Sequence, residues 1–178
     1  MRQPLLVFQS RALEDRFRKA MTSKHETGGW LFVSSIRSSI VEYNKVNALF
    51  GTFADTILGW QIVPNESKHP EREYTTSHYA IGEIIAKESA RSMGCIAYSF
   101  HSHPTGRDNS PSVADGVFAV QRCPIWENTG ETVIVQTAPL RVNYFLVQQE
   151  ANKLIYTKGL FLSWRSPKMQ QILSEDRR

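Results

Sequence analysis

The run Cys95-Ile96-Ala97-Tyr98-Ser99-Phe100, which leads straight into His101-Ser102-His103-Pro104, constrains this chain more than any other stretch. It is short and apolar, and it reads as a buried strand. The strand period of two puts the imidazoles of His101 and His103 on one face, with Cα atoms about 6 to 7 Å apart. Both rings can then reach one ion at roughly 2.0 to 2.1 Å. A histidine pair of this kind arises often by chance, so the rest of the chain has to decide what it means.

The flanking pattern sets the fold class. Gly28-Gly29 opens Trp30-Leu31-Phe32-Val33, an apolar run short enough to be a strand covered on both faces, and Val41 to Val46 and Ile57 to Val63 read as further strands. Ser10 can cap a helix through about Lys24, with Leu13, Phe17, Ala20 and Met21 on one apolar face. A second helix is expected over Ser77 to Ser92, with Ile81, Ile84, Ile85 and Glu88 at helical spacing and Gly94 at its stop. Residues 64 to 75 and 105 to 111 are polar, turn-rich loops, and Ser112 starts a short helix to about Gln121. Thr132 to Thr137, Val142 to Gln149 and Lys153 to Thr157 read as closing strands, and Ser166-Pro167 starts a C-terminal helix over about 166–175. Helices alternating with runs of adjacent strands predict an α/β chain of the α+β type, a mixed curved sheet flanked by helices. With no repeat or linker to divide it, one domain is expected over residues 1–178, its motif core about 10–160.

Composition narrows the chemistry. Two cysteines, Cys95 and Cys123, cannot build a closed thiolate zinc site, so any metal here must lean on nitrogen and oxygen. The formal charge of +4 is spread among acidic residues rather than gathered in a stripe, and nucleic acid is not demanded. Leu5-Leu6-Val7-Phe8 is too short for a signal-peptide core, and no segment approaches the roughly 18 apolar residues of a membrane span. A cytoplasmic protein with reduced thiols and no membrane partner is the expectation.

The histidine pair has company. His25, His69 and His78 lack a second histidine at ligand spacing and read as ordinary polar residues. Asp115, twelve residues after His103, stands at the third position of the helix that Ser112 would cap. Ser112-Val113-Ala114-Asp115 reads either as a variant capping box or as the source of a third metal ligand, with Asp108 as a rival. Two histidines and one carboxylate, with a position left for water, form the ligand set of a catalytic rather than a structural zinc. Such chemistry also needs a base, and Glu26 stands at the entrance to the first apolar strand, beside Gly28-Gly29.

Taken together, Glu26-Thr27-Gly28-Gly29-Trp30-Leu31, His101-Ser102-His103-Pro104 and Pro111-Ser112-Val113-Ala114-Asp115 resemble the signature of the JAMM (JAB/MPN) metalloprotease family. Eight residues separate His103 from Ser112, where the family usually has seven. The resemblance implies the MPN/JAB cytidine-deaminase-like fold and one zinc per chain held by His101, His103 and Asp115. It implies Glu26 as the catalytic base and Ser112 as donor to the oxyanion. It further implies hydrolysis of isopeptide or peptide bonds after the C-terminal tail of ubiquitin or a ubiquitin-like protein. A compact chain is similar to prokaryotic JAB proteins, which accompany E1-like and E2-like enzymes, some in antiphage operons. Loop 64–75 and segment 104–111 are expected beside the substrate. Three other readings stand next to this one: a non-catalytic MPN scaffold, a RadC-type protein acting near DNA, and a cysteine hydrolase using Cys95 or Cys123.

Overall fold

A computed structural model of the chain describes residues 5–21, 24–34, 54–77, 79–104, 112–115, 117, 129–137, 140–150 and 153–175. The expected strand at Val41 to Val46, the loop 105–111 with Asp108, His78 and Cys123 lie outside the described residues.

The element order is β1 (Leu5–Phe8), α1 (Arg11–Ala20), β2 (Gly28–Ser34), β3 (Ala54–Val63), α2 (Tyr79–Ser92), β4 (Ile96–His103), β5 (Thr129–Thr137), β6 (Leu140–Glu150), β7 (Lys153–Leu162) and α3 (Pro167–Glu175). Ser10 starts α1 by accepting the N–H of Leu13 at 3.1 Å. The helix stops at Ala20, short of Lys24, where the Met21 N–H is shared between the Phe17 and Arg18 carbonyls. Gly94, at φ 69°, ends α2 as anticipated: its N–H reaches the Arg91 carbonyl while that of Cys95 reaches Ala90. Ser166 caps α3 through the N–H of Met169 at 3.2 Å.

The strands hydrogen-bond in the order β1-β3-β2-β4-β5-β6-β7, and β7 returns to β1, so the mixed sheet curls until it closes. β1 runs parallel to both β3 and β7, and β4 runs parallel to β5, while the remaining pairs are antiparallel. The short run Leu5–Phe8, set aside above only as no signal peptide, is the strand that makes the closure. All four of its residues are buried, as a strand covered on both faces requires.

The sheet has two packed faces. On one, Phe17 of α1 sits 5.1 Å from Phe8, 5.3 Å from Trp60 and 5.6 Å from Phe100 between ring centres. Leu31, Val33, Tyr98 and Met169 join that core. On the other, α2 lies over Trp30 and Ala97 through the small residues Ala86 and Ala90. Its isoleucines Ile81, Ile84 and Ile85 face outward and are exposed. Among the described residues, no helix is long and apolar enough to cross a membrane.

Candidate functional site

Alternation along β4 builds the site. Tyr98 and Phe100 belong to the α1-side core and Ala97 to the α2 side. The period of two therefore sends Ser102 to the α1 side, and His101 and His103 together to the other. Their Nε2 atoms lie 3.2 Å apart. Asp115, on the helical turn at 113–115, brings its Oδ1 to 3.3 Å from His101 Nε2. The ligand atoms of all three residues fall within 4.8 Å of one another.

The capping reading of Ser112 and Asp115 is observed, and it leaves Asp115 able to serve as a ligand as well. Asp115 Oδ2 accepts the Ser112 N–H at 2.6 Å, and the Asp115 N–H donates to Ser112 Oγ at 3.2 Å, which is a reciprocal cap. The cap uses one carboxylate oxygen and thereby aims the other at His101. The eight-residue spacing after His103 does not keep Asp115 from the pair.

The donor set can be tested for fit. Ligands at about 2.0 to 2.1 Å in a tetrahedron stand about 3.3 to 3.4 Å from one another. The observed 3.2 Å and 3.3 Å separations match that edge, and two imidazoles with one carboxylate suit zinc.

Glu26 lies two residues before the neighbouring strand β2. Gly28 pairs with His101 across the β2–β4 ladder. One step earlier, the Ser102 N–H donates to the Thr27 carbonyl at 2.7 Å and the Thr27 N–H donates to Ser102 Oγ at 2.9 Å. Carrying the antiparallel register one residue further sets Glu26 level with His103 and on the same face. Both are buried, with relative exposures of 5% and 6%. The paired glycines admit close neighbours, as their sequence suggested. A Cβ on Gly29, whose φ is 152°, would stand 1.9 Å from the Gln61 carbonyl oxygen, and one on Gly28 would stand 2.6 Å from the Tyr74 ring.

The structure thus brings together His101, His103 and Asp115, buries Glu26 just before β2 in a register that extends toward His103, and leaves Ser112 exposed on the cap. The His69 side chain is exposed, its Nδ1 3.9 Å from a Glu71 oxygen, as an ordinary polar residue. Cys95 is buried, its Sγ contacts the Met93 carbonyl at 3.6 Å, and burial pushes its pKa up, which suits packing rather than nucleophilic work. Three residues that sequence patterns did not single out support the site. Ser102, wholly buried, staples β2 to β4. Asn65 donates to the Glu26 carbonyl at 2.9 Å. Tyr74 covers Gly28, donates to the Val63 carbonyl at 3.1 Å, and has its pKa pushed up to about 12 by burial and by nearby Glu66. The cues were faint: a serine between two histidines must face away from them, and an asparagine after a proline favours side-chain-closed turns.

No protein-family model and no curated protein sequence matches the chain. Among solved structures, it is similar to the solution structure of protein DSY2949 from Desulfitobacterium hafniense, with a TM-score of 0.53 and 15% sequence identity. That match covers 89% of this chain and 91% of the other, and it carries the fold alone.

Proposed function

We propose that the chain is a zinc-dependent hydrolase that cleaves the isopeptide or peptide bond following the C-terminal tail of a ubiquitin-like protein. The observation that carries the hydrolase reading is the convergence of three ligand atoms from two elements within 4.8 Å, His101 Nε2 standing 3.2 Å and 3.3 Å from the other two, near the edge of a tetrahedral zinc site. The choice of substrate rests on the sequence resemblance. His101, His103 and Asp115 would hold the ion, the three-ligand set of a catalytic rather than a structural zinc. When bound, zinc supplies a Lewis acid that lowers the pKa of a water toward about 7 and polarises a carbonyl.

The protein's own groups do the rest. Glu26 accepts a proton as the water oxygen bonds to the carbonyl carbon. It then delivers that proton to the nitrogen as the C–N bond breaks, giving a carboxylate and an amine. Ser112 Oγ accepts a bond from Asp115 N–H, and its own hydrogen is not used in that contact, so it can be donated to the oxyanion. No covalent enzyme intermediate is required.

The test is to offer the protein a ubiquitin-like fusion from its own gene neighbourhood, with zinc content measured on the same sample. Wild type should carry one zinc and cleave after the tail, and Glu26→Ala should keep the zinc and slow cleavage by about 10² to 10⁴. Equal cleavage by both proteins would sink the mechanism. A wild type that takes up no zinc after supplementation would favour the scaffold reading instead.

A further inference from the structure

The ladder between β2 and β4 begins at Gly28, so sheet pairing does not itself fix Glu26. Both backbone groups of Glu26 are held instead by loop 64–77. Its N–H donates to the Pro70 carbonyl at 2.6 Å, and its carbonyl accepts from Asn65 Nδ2 at 2.9 Å. Asn65 is the hub of that loop. Nδ2 also donates to the Glu73 carbonyl at 2.8 Å, while Oδ1 accepts the N–H groups of Ser67 at 3.0 Å and Thr75 at 3.2 Å. Four bonds fill the capacity of a carboxamide, and only one orientation of the amide satisfies two carbonyls on one side and two N–H groups on the other. Glu66 N–H to Thr75 carbonyl, at 2.8 Å, closes the loop's neck, and the Tyr74 ring seats its far end on Gly28, directly beside His101 in register.

We infer that Asn65 is the positioning residue for Glu26, acting through loop 64–77 to hold the carboxylate-bearing residue level with the histidine pair. This deepens the hydrolase reading and rests on its assignment of Glu26. Asn65 touches neither the ligands nor the reacting atoms. Its effect is to remove the freedom of a residue that lies two residues beyond the sheet, where an ångström of slack in a base is costly to rate and immaterial to metal affinity.

Asn65→Asp keeps size and both acceptor contacts but turns the two donated bonds into oxygen facing carbonyl oxygen. Three readouts on the full chain are needed: amide hydrogen exchange at Glu26 and Thr27, zinc affinity by chelator competition, and kcat with KM on a fusion that wild type cleaves. Exchange at Glu26 should quicken by about tenfold. Zinc affinity and KM should hold, and kcat should fall by about 10- to 100-fold. Tyr74→Phe, which keeps the ring on Gly28 and deletes only the bond to Val63, should give a smaller change of the same kind and serves if the first variant folds poorly. Exchange at Glu26 unmoved in both variants would overturn the inference, as would zinc affinity falling in step with kcat. The exchange result needs no substrate, so failure of wild type to cleave any fusion, which would defeat the hydrolase reading, is a separate outcome.

Discussion

Two clusters in this molecule use the same ingredients, a carboxylate among nitrogen donors, and reach opposite ends. Glu14 on α1 is wholly buried, and its oxygens take Arg18 Nε at 3.1 Å, Arg18 Nη2 at 2.6 Å, Ser163 Oγ at 2.6 Å and the Trp164 N–H at 2.7 Å. Four donors meet a group that can accept about four bonds. The cluster is closed, and its consequence is architectural: it pins the chain after β7 to α1, where the Trp164 indole N–H also donates to the Phe8 carbonyl at 2.7 Å. At the other cluster, the lone-pair-bearing atoms of His101, His103 and Asp115 converge on one another. A shared proton can bridge only one pair of such atoms, whereas a divalent ion satisfies all three. A carboxylate whose lone pairs end on protein donors is a fastening, and one whose free oxygen meets two imidazole nitrogens can take a cation.

The largest effect should come from opening the closed cluster. Glu14→Ala would strip the mostly buried Arg18 guanidinium of its carboxylate partner, leaving it Ser163 Oγ at 3.1 Å, and remove the carboxylate that accepts the Trp164 N–H, at a cost of about 3 to 5 kcal/mol. That corresponds to a melting temperature lower by about 10 °C in a chain of this size. Zinc stoichiometry should not change, because this cluster is on the α1 side. Loss of zinc in Glu14→Ala, measured by metal analysis on the folded variant, would break the division of labour between the two clusters.

The converse substitution should separate metal from fold. At free zinc about a hundredfold above its dissociation constant, wild type should gain about 2.7 kcal/mol of stability. His101→Ala should gain none, while its metal-free stability stays within about 1 kcal/mol of wild type, since a partly exposed ring at a strand end leaves little cavity. Thermal melts with and without zinc read both quantities. Global unfolding of metal-free His101→Ala would make the second cluster architectural too.

How legible these clusters were in the sequence depends on whether their members are neighbours in it. The strand with His101 and His103 announces itself, because a period of two acts over adjacent residues, and Ser112 with Asp115 does so through cap spacing. Glu14 gives no such signal: with Arg18 four residues on it looks like one more charge pair on a solvated helix, and the partners that make it a fastening, Ser163 and Trp164, lie about 150 residues away. Asn65 is hidden for the same reason, its significance resting on the return of loop 64–77 to Glu26. The closing role of Leu5–Phe8 was equally invisible, since a four-residue apolar run does not state which strands will accept it. Local periodicity is written in the chain; long-range pairing is settled by the tertiary packing that selects among locally acceptable choices.

Tyr74 lies between the two kinds of cluster, a neutral donor facing a single carbonyl, and it offers the mildest test. Its hydroxyl donates to the Val63 carbonyl, and burial, with Glu66 adding to it, pushes its pKa from 10 to about 12. For an acid whose folded value is raised, the stabilising form is the protonated one. Its contribution is therefore complete below pH 10 and is lost as pH rises through about 12. Ionisation would set a phenolate against the Val63 carbonyl oxygen, turning the one donated bond into a repulsive contact, with solvent at the partly exposed ring moderating the cost. Phenolate absorbance followed against pH should show a late ionisation in wild type that is missing from Tyr74→Phe. If Tyr74 instead ionises near pH 10, its ring is not seated on Gly28, and loop 64–77 would lose its anchor beside His101.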